Sequence, residues 1–543
     1  MTEARPGWSA AESERYRSAG YWAGVTFGAA LRDWAATRPE SVALVDGDRR
    51  WTYAALDAEA DRVARGLRGL GLGRGDKVVV QLPNCAEFVL IWFGLQRLGA
   101  VPVHAMPGHR RTEIGHLVRA SRAAACVVPD RHARFDHREL MREVLADEEG
   151  GGSLRHVVVV GDPGPHEEFV RFEDLRSGDG TDPLPDDGGA GPGDLALLLL
   201  SGGTTGLPKL IPRTHDDYGY NARAAAEVCA FGPGTVYLAV LPVAFNFTLA
   251  CPGVLGALFG GGTVVISPDP SPQTSFALIE REGVTVTSLS PPLVPYWMDE
   301  AATGLSDISS LAVVQVGGAR LPDDLARRLG PALGVTVQQV FGMAEGLINL
   351  TRLDDPVELV CSTQGRPLSP DDEVRVVDPA GEPVPDGSPG ELLTRGPYTL
   401  RGYHRAEEHN RTAFTGDGFY RTGDLVRRLP SGHLVVVGRI KDQINRGGEK
   451  IGATEVEEQL LIHPAVTSAA LVGVPDERWG ERSVAFVVCS GSAPGARELA
   501  AFLKERGLAD HKAPDEVVEV PHMPLTAVGK IDKAALALRL TRA

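Results

Sequence analysis

The chain has 543 residues, too many for one ordinary hydrophobic core, so two or more domains are expected. Hydrophobic residues make up 43% and charged residues 23%, the composition of a soluble globular protein. A formal charge of −16 excludes a general nucleic-acid binder, whose partner demands a basic face, but not a triphosphate ligand, which needs only a local patch of donors.

The first twenty residues lack an apolar stretch, so no secretory leader is expected. Residues 76–82 (DKVVVQL) read as a buried strand and 86–98 as a helix. Strand-like runs follow at 101–103, 124–128, 195–200, 236–241, 263–266, 284–289, 311–316 and 335–340, with helical patterns between most of them. Apolar strands separated by helices imply mostly parallel sheets covered on both faces. Residues 148–153 and 177–194 are rich in Gly and acidic residues and read as surface connections. No apolar run is long enough to cross a bilayer; 251–266 comes nearest, and glycines interrupt it. The six cysteines are scattered without a CxxC pair, which predicts reduced thiols and a cytoplasmic location.

From residue 372 the texture changes to short strands and turns. After Arg439 a further unit begins, with helices near 455–462 and 496–506 and strands near 469–474 and 483–488. The expected fold is α/β. A large N-terminal domain, residues 1–440, carries the helix-covered sheets and a small β-rich subdomain at about 372–438. A small α+β C-terminal domain follows at 441–543.

The strand at 195–200 runs directly into SGGTTGLPK, residues 201–209. This differs from a P-loop, because Lys209 is neither preceded by Gly nor followed by Ser or Thr. The physics is related. Gly202 and Gly206 let backbone N–H groups converge on an anion, Ser201, Thr204 and Thr205 add hydroxyls, and Lys209 adds a positive charge. A single Gly-rich loop is usually only a turn; nine residues combining small, hydroxyl and cationic types behind a strand suit a triphosphate.

This segment resembles the phosphate-binding signature of the adenylate-forming superfamily, which includes acyl- and aryl-CoA synthetases, peptide-synthetase adenylation domains and firefly luciferase. The resemblance continues through FGMAE (341–345), YRTGD (420–424), GRIKDQI (438–444) and PLTAVGK (524–530), in the superfamily's order and spacing. It implies a role for each matching residue. Glu345 would hold the Mg²⁺ that bridges ATP phosphates, since hard cations prefer oxygen ligands; alone, it reads as a solvated acid. Ala344 stands where the superfamily has Thr. Phe341 resembles the aromatic residue near adenine, and Gly318 and Gly342 belong with the nucleotide-binding set, Gly318 also with the acid pocket. Asp424 would accept both ribose hydroxyls, and Arg439 would contact ribose or phosphate. Lys530 resembles the adenylation lysine, which offsets charge building on the α-phosphate. Lys441, with Asp442, matches the hinge on which the C-terminal domain rotates between adenylation and thiol transfer.

The segment AFNFTLACPG (244–253) matches the acid pocket. Relatives that activate amino acids have Asp where this chain has Asn246. An ammonium buried beside a neutral amide would lack its counter-charge, at a cost of about 3–5 kcal/mol. Together with FGMAEGL and GRIKDQINRGGEK, Asn246 resembles freestanding aryl-acid adenylating enzymes of siderophore and peptide-antibiotic pathways. The 2,3-dihydroxybenzoate type has Tyr, Ser and Val where this chain has Phe247, Cys251 and Ile348, which look more like the salicylate type. Both types have His where this chain has Phe245, so 3-hydroxyanthranilate, anthranilate and a hydroxypicolinate stay open. The resemblance implies ATP and Mg²⁺, an aryl carboxylic acid, and a separate aryl carrier protein or CoA as thiol acceptor, with no nucleic-acid or membrane partner. The alternatives are an aryl-CoA ligase of aromatic acid metabolism and a nucleotide-binding regulator without catalysis.

Overall fold

The computed structural model describes residues 7–147, 152–176, 184, 188–201, 207–446, 449–476, 478–526 and 529–541. Most of the expected connection at 177–194, and most of that at 148–153, lies outside the described residues.

Two large sheets form the N-terminal part. One has nine strands, with a parallel centre running Thr336–Met343, Val313–Gly317, Val286–Leu289, Val236–Ala239, Thr263–Ile266 and Val42–Asp46. Antiparallel strands close its edges: Arg49–Thr52 on one side, Gly346–Leu350 and Arg366–Pro367 on the other. The second sheet has seven strands around Leu195–Leu200, Val101–His104, Lys77–Val80, Ala125–Pro129 and His156–Val160. These strands are continuous apolar runs because helices cover both of their faces.

The helix Ala86–Leu98 shows why the core sits where it does. All thirteen of its residues are buried, so it lies inside the protein rather than on its surface. Leu90, Ile91 and Phe93 each contribute about 1.5–3 kcal/mol by leaving water. Gly94 lets the helix approach Tyr53–Gly69 closely; a Cβ there would stand 2.5 Å from Val63 Cγ1. At its C-terminus Gly99 takes the left-handed conformation that stops the helix.

Strands Glu373–Val377, Pro389–Arg395, Tyr420–Arg428 and Leu434–Arg439 form a four-stranded antiparallel sheet. A short 3₁₀ turn, Ile440–Asp442, leads to a last five-stranded sheet flanked by helices Ala453–Leu460, Ala496–Glu505 and Lys533–Thr541. Two apolar clusters there draw only on residues from Ile444 onward, so this region has a core of its own. The fold is α/β with a separate C-terminal region. Among the described residues no helix is long and apolar enough to cross a membrane.

The N-terminal segment has a use that its sequence did not suggest. Tyr16 and Trp22 pack into one cluster with Phe247, Cys251, Ile348 and Tyr398, which places them behind the expected acid pocket. Trp22 Nε1 donates to Pro397 O at 3.0 Å, and Arg401 pairs with Glu12 at 2.9 Å.

Candidate functional site

A cavity of about 740 Å³ opens between the sheets and the C-terminal region. Of the residues singled out from the sequence, it is lined by Ser201, Lys209, Phe245, Asn246, Phe247, Cys251, Gly318, Gly342, Glu345, Ile348, Arg439, Lys441 and Lys530. Gly202, Thr204, Thr205 and Gly206 lie outside the described residues. Phe341 and Asp424 are not in the lining.

The base of the 201–209 segment is pinned by two reciprocal bonds. Ser201 N donates to Lys209 O at 2.9 Å, and Lys209 N donates to Ser201 Oγ at 3.0 Å. Both residues flank the antiparallel pair Leu195–Leu200 and Leu210–Thr214. The Lys209 ammonium stands 5.7 Å from the centre of the Tyr403 ring, and His409 packs on the same ring.

Glu345 sits where the strand Thr336–Met343 reverses into Gly346–Leu350. The reversal is tight. Gly346 has φ of 134°, and a Cβ there would stand 2.4 Å from Thr399 Cα, so only glycine lets the two backbones cross. Leu400 N donates to Glu345 O at 2.7 Å across that crossing. Arg213 Nη1 donates to Ala344 O at 2.8 Å, and Nε of the same side chain donates to the buried Asp217 Oδ1 at 2.6 Å. The Glu345 carboxylate accepts from the Tyr403 hydroxyl at 2.8 Å, and Tyr420 lies 2.8 Å beyond. Burial raises the Glu345 carboxyl above its ordinary pKa, with the Tyr403 bond opposing.

The Phe341 ring packs against the cluster of Leu347, Val376, Leu392, Val426 and Leu434.

The cationic wall comes from two parts of the chain. Arg439 Nε donates to the buried Asp424 Oδ1 at 2.7 Å, across a register that pairs the two residues directly. Burial raises the Asp424 carboxyl, while Asp424 raises Arg439 in turn. Lys530 reaches in from the C-terminal region, its Cε 3.8 Å from where a Gly318 Cβ would be. Its turn is closed by Thr526 N donating to Lys530 O at 2.6 Å. Burial, and then the Arg439 charge, lower the Lys530 ammonium to about 8. Lys441 is lowered by the same two causes in the same order.

The apolar recess is formed by the helix Asn246–Ala250 and by Val340 and Ile348 on adjacent strands. Phe247 fills the space beside Gly317, where a Cβ would meet its ring at 3.0 Å. The Asn246 amide is buried; its Oδ1 accepts from Tyr218 at 2.8 Å and its Nδ2 donates to Cys251 Sγ at 3.3 Å. Sequence reasoning missed Tyr218, Tyr403 and His409. Only their places in the fold, far in sequence from the motifs they serve, bring them in.

Residues 31–404 match the AMP-binding enzyme family, and 455–530 match the AMP-binding enzyme C-terminal domain. The chain belongs to the AMP-binding enzyme family. This AMP-binding enzyme is 52% identical, over 97% of its length and 96% of the relative's, to a 2,3-dihydroxybenzoate-AMP ligase of Bacillus subtilis. It is 51% identical to a salicyl-AMP ligase / salicyl-S-ArCP synthetase of Mycobacterium tuberculosis, over 97% of its own length and 92% of the relative's. Among solved structures, Mycobacterium smegmatis MbtA in its apo form matches with a TM-score of 0.76 at 49% identity, covering 98% of both chains. An apolar recess opens into the cavity of this enzyme.

Proposed function

We propose that this enzyme uses ATP and Mg²⁺ to convert an aryl carboxylic acid to its adenylate, then passes the aroyl group to the phosphopantetheine thiol of a separate carrier protein, forming a thioester and releasing AMP. One observation carries the reading: the recess around Asn246 opens into the same cavity as Glu345, Arg439 and Lys530. An acid in the recess would point its carboxylate toward the cationic wall. Salicylate or a related ortho-substituted acid suits a recess lined by Phe245, Phe247 and Ile348 with one amide at Asn246.

In the first step a carboxylate oxygen attacks the α-phosphorus, a C–O–P anhydride forms, and the bond to the β-phosphate breaks to release pyrophosphate. The acid is already ionised at neutral pH, so no general base is needed. Lys530 offsets the charge that builds on the α-phosphate oxygens, and Arg439 adds to the same field. Asp424, with one oxygen held by Arg439, keeps the other for ribose hydroxyls. Ser201 and Lys209 stand at the mouth of the loop expected to cradle the phosphates.

The donor set fits Mg²⁺. Among the described residues no three His, Cys, Asp or Glu side chains cluster, which excludes an all-protein cage there. Glu345 is a buried carboxylate that, among the described residues, no cationic side chain bonds directly, and Mg²⁺ is commonly bound by one or two carboxylates together with phosphates and water. When bound, the metal would neutralise phosphate charge; Tyr403 orients Glu345 for it.

For the second step, residues 441–543 would act as a mobile domain, with 1–440 as its partner and 372–438 as the β-rich subdomain. The 3₁₀ turn Ile440–Asp442 is a short segment of the kind that absorbs a hinge rotation at Lys441. Rotation would withdraw Lys530 and admit the thiol. The six unpaired cysteines suit a reducing cytoplasm.

ATP–pyrophosphate exchange across salicylate, 2,3-dihydroxybenzoate, 3-hydroxyanthranilate, anthranilate, benzoate and 3-hydroxypicolinate tests the first step. Absence of acid-dependent exchange with the whole panel would overturn it in favour of a nucleotide-binding regulator. Carrier loading beside CoA ligation tests the second; efficient turnover with CoA alone would make the enzyme an aryl-CoA ligase.

A further inference from the structure

The exit of the 201–209 segment is held at three consecutive residues, each by a partner from another part of the chain. Pro208 O accepts from His116 Nε2 at 2.9 Å. The Lys209 ammonium rests on the Tyr403 ring, and Leu210 O accepts from His404 N at 2.9 Å. His116 belongs to the helix Arg111–Ser121, which buries Ile114, Leu117 and Val118 in the core and so presents its ring from a fixed support. Tyr403 is fixed in turn. Asn410, on the helix Glu407–Ala413, accepts from Tyr403 N at 2.8 Å and donates to Tyr403 O at 3.0 Å.

The Ser201 bonds tie the two ends of the segment to each other, but they do not tie it to the rest of the protein. Pro208 has no N–H to give, so its carbonyl is the backbone group by which it can be anchored. A carbonyl only accepts; His116 therefore carries a hydrogen on Nε2 wherever this bond exists. Pro208 and Lys209 line the cavity and His116 does not, so His116 reaches a ligand only through the residues it holds. Among the described residues no carboxylate pairs with Lys209. The π face is a weak seat, which a phosphate displaces without breaking an ion pair.

We propose that His116 is a positioning residue for the nucleotide: by holding Pro208 O it keeps the Lys209 ammonium set toward the cavity, where it meets the outer phosphates of ATP. The inference rests on the adenylating reading given above and goes beyond it, because it gives a role to a side chain outside the cavity. Without the bond, Pro208 and Lys209 would be ordered only as ATP arrives, and that ordering is subtracted from the binding free energy. One neutral hydrogen bond sets the scale, about three- to tenfold in affinity.

The test uses the full chain. ATP affinity is measured by titration calorimetry without acid, and pyrophosphate exchange gives the KM for ATP and for salicylate or the preferred acid of the panel. His116→Phe keeps a ring in place and removes the donor. ATP affinity should fall by about three- to tenfold and the KM for ATP rise in step, while the KM for the acid stays within about twofold. His116→Gln restores an N–H donor and should bring ATP affinity back to within about twofold of wild type. In a Lys209→Met background, where the ammonium is gone, His116→Phe should lower ATP affinity no further. Nitrogen-15 spectroscopy of neutral His116 should show its hydrogen on Nε2. Unchanged ATP affinity in His116→Phe overturns the inference, as does a hydrogen on Nδ1. So does an equal rise in both KM values, a Gln variant as weak as the Phe variant, or a full additional loss in the Lys209→Met background; each marks a residue that only supports the fold. If the wild type binds ATP but exchanges with no aryl acid, the aryl-acid reading falls and the calorimetric arm decides this inference by itself. A wild type without ATP affinity removes both.

Discussion

Replacing Lys530 by Ala should abolish adenylation and spare thiol transfer. The ammonium stands inside the cavity, beside Arg439 and within the field of Asp424 and Glu345. A group so placed acts on developing charge in a water-poor site, where one preorganised donor is worth about 3–4 kcal/mol, or about 10²–10³ in rate. Pyrophosphate exchange should fall by that factor in Lys530→Ala. Aroyl transfer to a thiol from a supplied aroyl-adenylate, with release of AMP, should stay within about twofold of wild type, because Lys530 would have left the site by then. The same residue predicts a pH profile. With a pKa of about 8, the free enzyme carries the charged form at pH 7 in roughly nine molecules of ten and at pH 9 in roughly one of ten. The kcat/KM for exchange should therefore fall as pH rises through 8. Bound phosphates favour the ammonium, so the corresponding limb in kcat should move to higher pH. Equal loss of both half-reactions in Lys530→Ala would refute the two-state reasoning. A limb near pH 8 that survives in the residual activity of the variant would refute the assignment of the titration.

Three further outcomes are expected. Glu345→Gln should lower exchange by about a hundredfold or more, on the scale of several kcal/mol for a lost metal contact, with the Mg²⁺ dependence moved to higher concentration; an unaltered Mg²⁺ titration would remove Glu345 from the metal. Glu458 pairs with Arg320 at 2.8 Å, joining the C-terminal region to the loop after Gly318, and burial raises its carboxyl to about 7 despite Arg320, with Asp323, Glu457 and Glu455 adding to the rise. A carboxyl raised on docking holds its proton better when docked, so its stabilising contribution is full below about 4.5 and lost as pH rises through 7. Limited proteolysis near 440–446 should thus quicken between pH 5.5 and 8 in the wild type and stay level in Glu458→Gln; parallel profiles would sink the idea. Gly346→Ala should cost more than about 2 kcal/mol, because a Cβ would strike Thr399 in a backbone conformation that disfavours side chains; an unchanged temperature of half-inactivation would contradict the crossing described above.

Much of the fold was legible because its signals are local. The helix at 86–98 and the strands at 195–200 and 263–266 were read to the residue, since a buried helix and a buried parallel strand are each a bounded apolar run. Strand ends elsewhere moved by up to a few residues, as at 335–340, which extends to Thr336–Met343. There the pairing with Gly346–Leu350 carries the ladder past the apolar run. That the strands divide into two sheets with Ala86–Leu98 buried in the core was not legible, because sheet membership depends on contacts between distant segments.

The candidate site divides along the same line. The motifs name the residues that bear charge, because a triphosphate and a carboxylate demand particular side chains close together in a turn: Lys209, Glu345, Asp424, Arg439 and Lys530. Their environments were decided by tertiary structure. Burial lowers Lys530 and raises Glu345, and desolvation depends on what surrounds a group rather than on its neighbours in sequence. Phe341 packs on the cluster of Leu347 and Val376, and Tyr403 enters as the partner of Glu345. Asn246 was evident in the sequence as a neutral polar residue among apolar ones. Its partners come from the fold: Tyr218, on a helix more than twenty residues earlier in the chain, and Cys251 bond its amide. Sequence determined the kind of chemistry, since that follows from which groups are present; the fold decided their protonation and orientation, since those follow from packing.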